Sequence, residues 1–252
     1  MADYKKYLDR MDLPQDAVDA LTQPYETCPE ATRNAIDVLR RLEEAEALYR
    51  ANGWSEEMFE GLLTDVRCKL KESKYVSGVW GAIPMDWHER FLTGKIVMLG
   101  RLQFEPGTWN LGDVPGYGKE GDFAVKCHIP SAGPLYPDAV QDSLRRAYEF
   151  FGQNPLLVTC KSWLLYPPHV ALFPEGSNLK KFAALWRITE QHKRGTRDFR
   201  IVFGGADPDD LAHLPEKTSL QRAFAEWLRE GNEMGTGFGF LVVRDGKYAY
   251  PA

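Results

Sequence analysis

The spacing of apolar residues changes once along this chain, and that change limits the folds open to it. Through ATRNAIDVLRRLEEAEALYR (31–50), Ala35, Val38, Leu39, Leu42, Ala45 and Leu48 recur at helical intervals with charges on the opposite side. SEEMFEGLLTDVRCKLKES (55–73) repeats the signal through Met58, Phe59, Leu62, Leu63, Val66 and Leu70. Ser55 is suited to cap it, and Glu56 and Glu57 complement the helix dipole in its first turn. Joined at Asn52-Gly53, the two predict an αα-hairpin. From residue 76 onward, aromatic and β-branched residues rise and Gly and Pro become frequent. The expected organisation is therefore a helical region over 1–75 followed by a mixed α/β domain over 76–252, an α+β chain.

Within the second part, KIVMLGRLQFE (95–105) and FAVKCHIP (123–130) read as strands, and Leu102 and Phe104 alternate with Arg101, Gln103 and Glu105 in the first. The turn-rich segment between them, EPGTWNLGDVPGYGKEGD, is either a lid over a substrate or a loose hairpin connection. PLLVTCKSWLLYP (155–167), RITEQH (187–192), DFRIVFG (198–204) and GFGFLVVRDGKYAY (237–250) read as further strands. The segment after Pro137 carries Val140, Leu144, Ala147, Tyr148 and Phe151 on one helical face, Ser177 caps a short helix, and SLQRAFAEWLREG (219–231) is amphipathic.

Composition excludes some partners. A formal net charge of −5 argues against a general binder of nucleic acid or anionic membrane, because neutralising phosphates needs a basic face. Cys28, Cys68, Cys127 and Cys160 form no CxxC pair, so neither a zinc site nor a disulfide framework is indicated, and no window approaches the apolar length of a membrane span. The expectation is a soluble cytoplasmic protein without a metal site. DWHER (86–90) matches no metal-ligand spacing and reads as a surface segment.

One junction stands apart. In HIPSAGPLYPDAVQDSLRRAYEFF (128–151) an apolar strand passes through Ser131-Ala132-Gly133-Pro134-Leu135 into an amphipathic helix. Such a turn offers backbone N–H groups at the positive end of a helix, a geometry that holds a diphosphate. Lys126, Arg145, Arg146 and Lys161 supply local positive charge. The alternative is an ordinary strand-to-helix turn with surface arginines.

Taken together, LGRLQFE (99–105), the 128–151 segment, CKSWLLYP (160–167), LFPEGSNLKKFAALWRI (172–188) and GFGFLVV (237–243) resemble bacterial acyltransferase-domain proteins, which pair a helical N-acyltransferase region with a GNAT-like C-terminal domain. The resemblance covers most of the chain and is strongest from Leu99 to Ile188. It implies a twisted mixed β-sheet flanked by helices, acetyl-CoA or another acyl-CoA as co-substrate, and a small-molecule amine as acceptor, with no role for nucleic acid or membrane. GNAT enzymes usually hold the diphosphate on a Q/R-x-x-G-x-G/A turn, whereas this chain has one glycine and a proline that lacks an N–H. The residues assigned to CoA at this junction are His128, Ile129, Ser131, Ala132, Gly133 and Leu135; Asn178, just inside the helix capped by Ser177, could hydrogen-bond a pantetheine amide or serve only as ordinary helix N-terminal chemistry.

Acyl transfer to an amine needs a base for the ammonium proton, donors for the oxyanion and an acid for the departing thiolate. Glu105, ending an apolar strand, is the first choice of base; its other reading is a carboxylate facing water or paired with Arg101. His128 is the second, unless it only fixes the turn. Cys160 and Ser162 alternate along their strand and so share a face, where either could serve the thiolate; Cys160 also fits a small buried hydrophobe. Trp80, Trp87, Trp109, Tyr117 and Trp163 could build an acceptor pocket or pack a core. Beside the transferase stand a non-catalytic CoA or ligand binder of the same fold, and a hydrolase using Cys160 or Ser162 with His128, which lacks a nucleophile elbow.

Overall fold

The structure, a computed structural model, describes residues 4–82, 85–193 and 196–249. Two compact units divide it: the first runs to Met98 and includes Pro130–Ala132, and the second comprises Leu99–Ile129 and the chain from Gly133 onward.

The first unit is helical, with α1 (Lys5–Arg10), α2 (Gln15–Leu21), α3 (Glu30–Arg40), α4 (Leu42–Ala51), α5 (Glu56–Ser77) and α6 (Met85–Leu92). Ser55 accepts the Met58 N–H at the start of α5, and Gly78, at φ 75°, ends it in the left-handed conformation. All six residues of the stripe from Met58 to Leu70 are buried. The stripe read over 31–50 behaves differently. The helix breaks at Arg41, so the phase resets: Leu42, Ala45 and Tyr49 turn inward while Leu48 is exposed. The expected hairpin of two helices is thus three. Tyr49 packs edge-on against Trp54 and Phe59, giving the unit an aromatic centre. DWHER also departs from its surface reading. It forms part of α6, and His88 is buried.

The second unit is built on a sheet of β1 (Val97–Leu99), β2 (Leu102–Thr108), β3 (Phe123–His128), β4 (Leu156–Ser162), β5 (Arg187–Lys193), β6 (Gly235–Arg244) and β7 (Lys247–Ala249), in the order β1-β2-β3-β4-β6-β5, with β7 paired to β6. β3 and β4 are parallel and are connected through α7 (Pro137–Phe151); the pairs β2–β3, β4–β6 and β5–β6 are antiparallel. The strand expected over 95–105 is broken at Gly100, whose φ of 69° and proximity to the Ser143 hydroxyl leave no room for a side chain. A second correction concerns 198–204. It lies largely in α10 (Thr196–Phe203), because Phe199, Val202 and Phe203 are buried at helical spacing around exposed Arg200 and Ile201. The remaining helices are α8 (Pro167–Leu172), α9 (Asn178–Ala183) and α11 (Ser219–Arg229), the last closed by a capping box between Thr218 and Gln221.

Alternation and register give the sheet two unlike faces. One is mainly apolar: Leu102, Phe104, Val125, Cys127, Leu156, Val158, Cys160, Leu241 and Val243 are all buried. α7 covers it, and its Ser143 hydroxyl accepts the N–H groups of Arg101 and Leu102 at 2.6 and 3.2 Å. The other face is divided. At one end Trp109 buries itself among Ala124, Leu157, Phe240 and Val242, with Leu111, Val114 and Tyr117 against them. The 109–121 segment is therefore a packed cover and not a loose connection. Trp109 donates its indole N–H to the Gly112 carbonyl at 2.7 Å, and Arg244 donates to the Gly116 carbonyl at 2.9 Å.

Gly237 on β6 lies so close to the turn at Trp163–Leu165 that a Cβ would meet the Leu165 carbonyl oxygen at 2.1 Å. Gly237→Ala is expected to cost about 1–3 kcal/mol by forcing backbone from backbone, lowering the urea midpoint; an unchanged midpoint contradicts this packing.

Candidate active site

The other end of the divided face carries the polar residues. By register, Gln103 and His128 are directly opposed, as are Glu105 and Lys126, so all four share this face; Thr159 and Lys161 continue it on β4. Lys126 and Lys161 are exposed, which makes this part of an acidic chain locally positive. At its centre, His128 Nε2 and Glu105 Oε2 lie 3.0 Å apart, with side-chain exposures of 25% and 16%. A carboxylate only accepts, so the imidazole donates to it through Nε2–H. The two residues weighed separately as bases form one hydrogen-bonded pair.

The pair sits where the sheet opens. The parallel ladder between β3 and β4 joins Ala124 to Leu157, Val125 to Val158 and Lys126 to Thr159, and ends there. β3 continues to His128 paired with β2, and β4 continues to Ser162 paired with β6. Past Lys126 and Thr159 the facing edges of the two strands are thus no longer joined to each other, and backbone N–H and C=O groups line a wedge beside His128. Nothing in the spacing of apolar residues signals this parting.

Cys160 and Ser162 do share a face, but it is the face opposite Glu105 and His128. The Cys160 side chain is buried beside Cys127, whose thiol is pushed well above its ordinary value by burial and by that neighbour. Ser162 accepts the Leu164 N–H at 3.2 Å and so caps the turn that follows β4. Neither is joined to His128, and the arrangement a hydrolase would need is not formed.

The residues assigned to CoA are dispersed over distinct settings. Ser131 and Ala132 cluster with the first unit, where the Ser131 hydroxyl donates to Glu72 at 2.9 Å. Arg101 donates to the carbonyl of Pro134 at 3.1 Å and to that of Gly133, holding the turn into α7. Leu135 is buried, Ile129 is partly buried, and Tyr136 precedes Pro137 without capping α7 by its side chain. Asn178 begins α9 just after its cap, Ser177.

The remaining aromatics serve packing. Trp163 lies edge-on to Phe173 and Phe224, and Trp80 and Trp87 donate to Asp16 and Asp65 within the first unit. His169, which the sequence reading passed over, is also structural: Nδ1 donates to the Trp163 carbonyl at 2.9 Å and Nε2 accepts the Gly235 N–H at 3.3 Å. Among the described residues no group of three or more His, Cys, Asp or Glu could hold a metal ion, and no helix is long and apolar enough to cross a membrane.

Residues 96–241 match the family profile described as GNAT-like C-terminal domain. Solved acyltransferase structures share the fold at low identity. One, in complex with decanoyl-CoA, is 22% identical with a TM-score of 0.76, over 94% of this chain and 86% of that one. A second, in complex with decanoyl-CoA and teicoplanin, is 21% identical with a TM-score of 0.75, over 95% and 87%. A mutant acyltransferase in complex with octanoyl-CoA is 21% identical with a TM-score of 0.74 over the same shares. No curated protein matches the chain.

Proposed function

The chain belongs to the GNAT-like C-terminal domain family, and from that premise we propose that it is an acyl-CoA-dependent N-acyltransferase, moving an acyl group from a CoA thioester to the amine of a small molecule. The observation that carries this reading is the hydrogen-bonded Glu105–His128 pair beside the wedge between β3 and β4. The acyl-CoA complexes of the similar structures support the choice of co-substrate, and the teicoplanin complex supports a small-molecule acceptor.

In this account the thioester enters the wedge, where strand-edge N–H groups receive its carbonyl oxygen. Nδ1 of His128 takes the ammonium proton of the acceptor, and Glu105 stabilises the imidazolium through Nε2–H. The amine nitrogen then attacks the carbonyl carbon; the new C–N bond replaces the C–S bond, and the excess proton on that nitrogen passes to the departing thiolate, leaving an amide and the CoA thiol. The diphosphate falls to the turn that leads into α7, with Gly133, Leu135 and the first-turn N–H groups of that helix as its holders. Ser131, already bonded to Glu72, is a weaker holder than the turn's backbone. Asn178 is left for the pantetheine arm. The protein acts in the cytoplasm, where four free cysteines remain reduced.

Thermal denaturation with acetyl-, octanoyl- and decanoyl-CoA tests co-substrate binding. An acyl-CoA held at a hundred times its Kd is expected to stabilise the fold by about 2.7 kcal/mol, a clear rise in melting temperature. No rise with any of the three at millimolar concentration removes the reading. Binding without thiol release across a broad panel of amines instead favours a non-catalytic ligand binder.

A further inference from the structure

With His128 as base, the side from which the acceptor comes is fixed. His128 and Glu105 lie on the divided face of the sheet, whereas α7, whose leading turn is assigned the diphosphate, covers the opposite face. An amine that gives its proton to His128 therefore approaches over the divided face, where register sets the side chains it meets. Lys126 is joined to Thr159, so two residues further along each strand His128 and Lys161 stand on either side of the wedge. Lys161 is directly opposed to Phe238 on β6, and Arg187 on β5 is directly opposed to Phe240. All of these share the face of His128.

Lys161 and Arg187 are exposed, and neither is paired with a carboxylate among the described residues. The Arg187 guanidinium is held 5.8 Å from the ring centroids of both Tyr117 and Phe240, which orients it and leaves its N–H donors for an anion. Lys126 takes no part, because its Cε lies over Gly107, away from the wedge. Glu190, also opposite Phe238, is engaged with His192 at 3.2 Å. The backbones of Lys161 and Arg187 are two strand spacings apart, about 10 Å laterally, a gap that two long side chains and a ligand can span. Phe238, beside Lys161, is only partly buried and offers an apolar surface to the same ligand.

We propose that Lys161 and Arg187 form an anion subsite for the acceptor, and that the acceptor is an amine that also carries a carboxylate, as an amino acid does. The inference rests on the acyltransfer reading and names the substrate class for it. The amine meets His128 on one side of the wedge while its carboxylate accepts from Lys161 on the other, with Arg187 as the outer cation and Phe238 against an apolar side chain. In a chain of net charge −5, unpaired cations on this one face favour an anionic group at this place.

The test is calorimetric binding of N-octanoylphenylalanine and of its primary amide, which differ in the carboxylate, to the unsubstituted protein, Lys161→Met and Arg187→Met. Methionine keeps an apolar stem and removes an exposed charge, so both variants are expected to fold. The acid is expected to bind about tenfold more tightly than the amide in the unsubstituted protein, a preference that falls about fivefold in Lys161→Met and less in Arg187→Met. Octanoyl-CoA affinity is expected to change by less than about twofold in either variant. In turnover, the ratio of kcat/KM for phenylalanine to that for phenethylamine is expected to fall about fivefold in Lys161→Met; comparing ratios between proteins cancels the different basicities of the two amines. No binding of the acid, equal binding of acid and amide to the unsubstituted protein, or an unchanged preference in both variants overturns the proposal. A loss of octanoyl-CoA affinity with the acid preference intact assigns the cations to a CoA phosphate and also overturns it. Failure of the unsubstituted protein to release CoA thiol with any amine strikes the acyltransfer reading alone, since the binding preference still decides the anion subsite.

Discussion

His128→Ala is expected to cut turnover by roughly 10²- to 10⁴-fold, the usual contribution of a positioned general base. The substitution removes the only atom assigned to take the ammonium proton, and it leaves Glu105 a carboxylate with no imidazolium to stabilise. Because His128 lies at the end of β3 with a quarter of its side chain exposed, the loss of its ring leaves the buried apolar face untouched. The variant is therefore expected to fold and to keep its thermal response to acyl-CoA. Glu105→Gln keeps the shape of the pair without its charge and is expected to cost less. The double substitution is expected to be no worse than His128→Ala alone, since the two side chains act as one unit. Release of CoA thiol with decanoyl-CoA and an accepted amine measures all three. Unchanged turnover in His128→Ala removes the imidazole as base.

Acid is expected to weaken the fold well before the paired carboxylates titrate. His88 is buried in the first unit, and neither of its ring nitrogens has a hydrogen-bond partner among the described residues. Burial, followed by the charge of Lys69, pushes its pKa down from 6.5 to about 4, against the smaller pull of Asp86 and Glu72. An unfolded chain restores the ordinary value, so below pH 6.5 it binds a proton that the folded state refuses. Stability is thus complete above pH 6.5 and declines as pH falls toward 4, by about 2 kcal/mol at pH 5 and about 3 kcal/mol at pH 4. His169 adds loss in the same window, because burial lowers it to about 4 despite its bond to the Trp163 carbonyl. Carboxylates held low by their partners, such as Glu46 by the Tyr7 hydroxyl and Asp142 by Arg145, lose their contribution only below the usual carboxylate range. Urea midpoints at pH 7 and pH 5 measure the histidine share. His88→Leu is expected to raise the midpoint at pH 5 and flatten the difference, since an apolar side chain needs no partner there. Equal midpoints at the two pH values in the unsubstituted protein contradict both histidine assignments.

What the sequence made legible follows from the range over which each signal acts. The α5 stripe, the Ser55 and Ser177 caps and the α7 face are local patterns, and each appears in the structure. The break at Arg41 was hidden because the residues on either side favour helix equally, and only the inward turn of Tyr49 in place of Leu48 reveals the change of phase. Likewise 198–204 is rich in β-branched and aromatic residues, yet packing buries it at a helical period. At the site, alternation correctly joined Cys160 to Ser162 and Leu102 to Phe104. It could not set one strand against another. The meeting of Glu105 with His128, 23 residues apart, depends on the β2–β3 register across the packed 109–121 cover. That Cys160 faces away from His128 depends on the β3–β4 ladder, and so does the wedge, because a parallel pair joined through a helix leaves no local trace of where its pairing stops.

A crystal structure with decanoyl-CoA bound tests the central claim most directly. The thioester is expected between β3 and β4 beyond Lys126 and Thr159, its carbonyl carbon placed so that an amine nitrogen attacking it lies within hydrogen-bonding reach of His128 directly or through one water, and the diphosphate at the turn into α7. A thioester lodged elsewhere, with the Glu105–His128 pair facing only solvent, would contradict it.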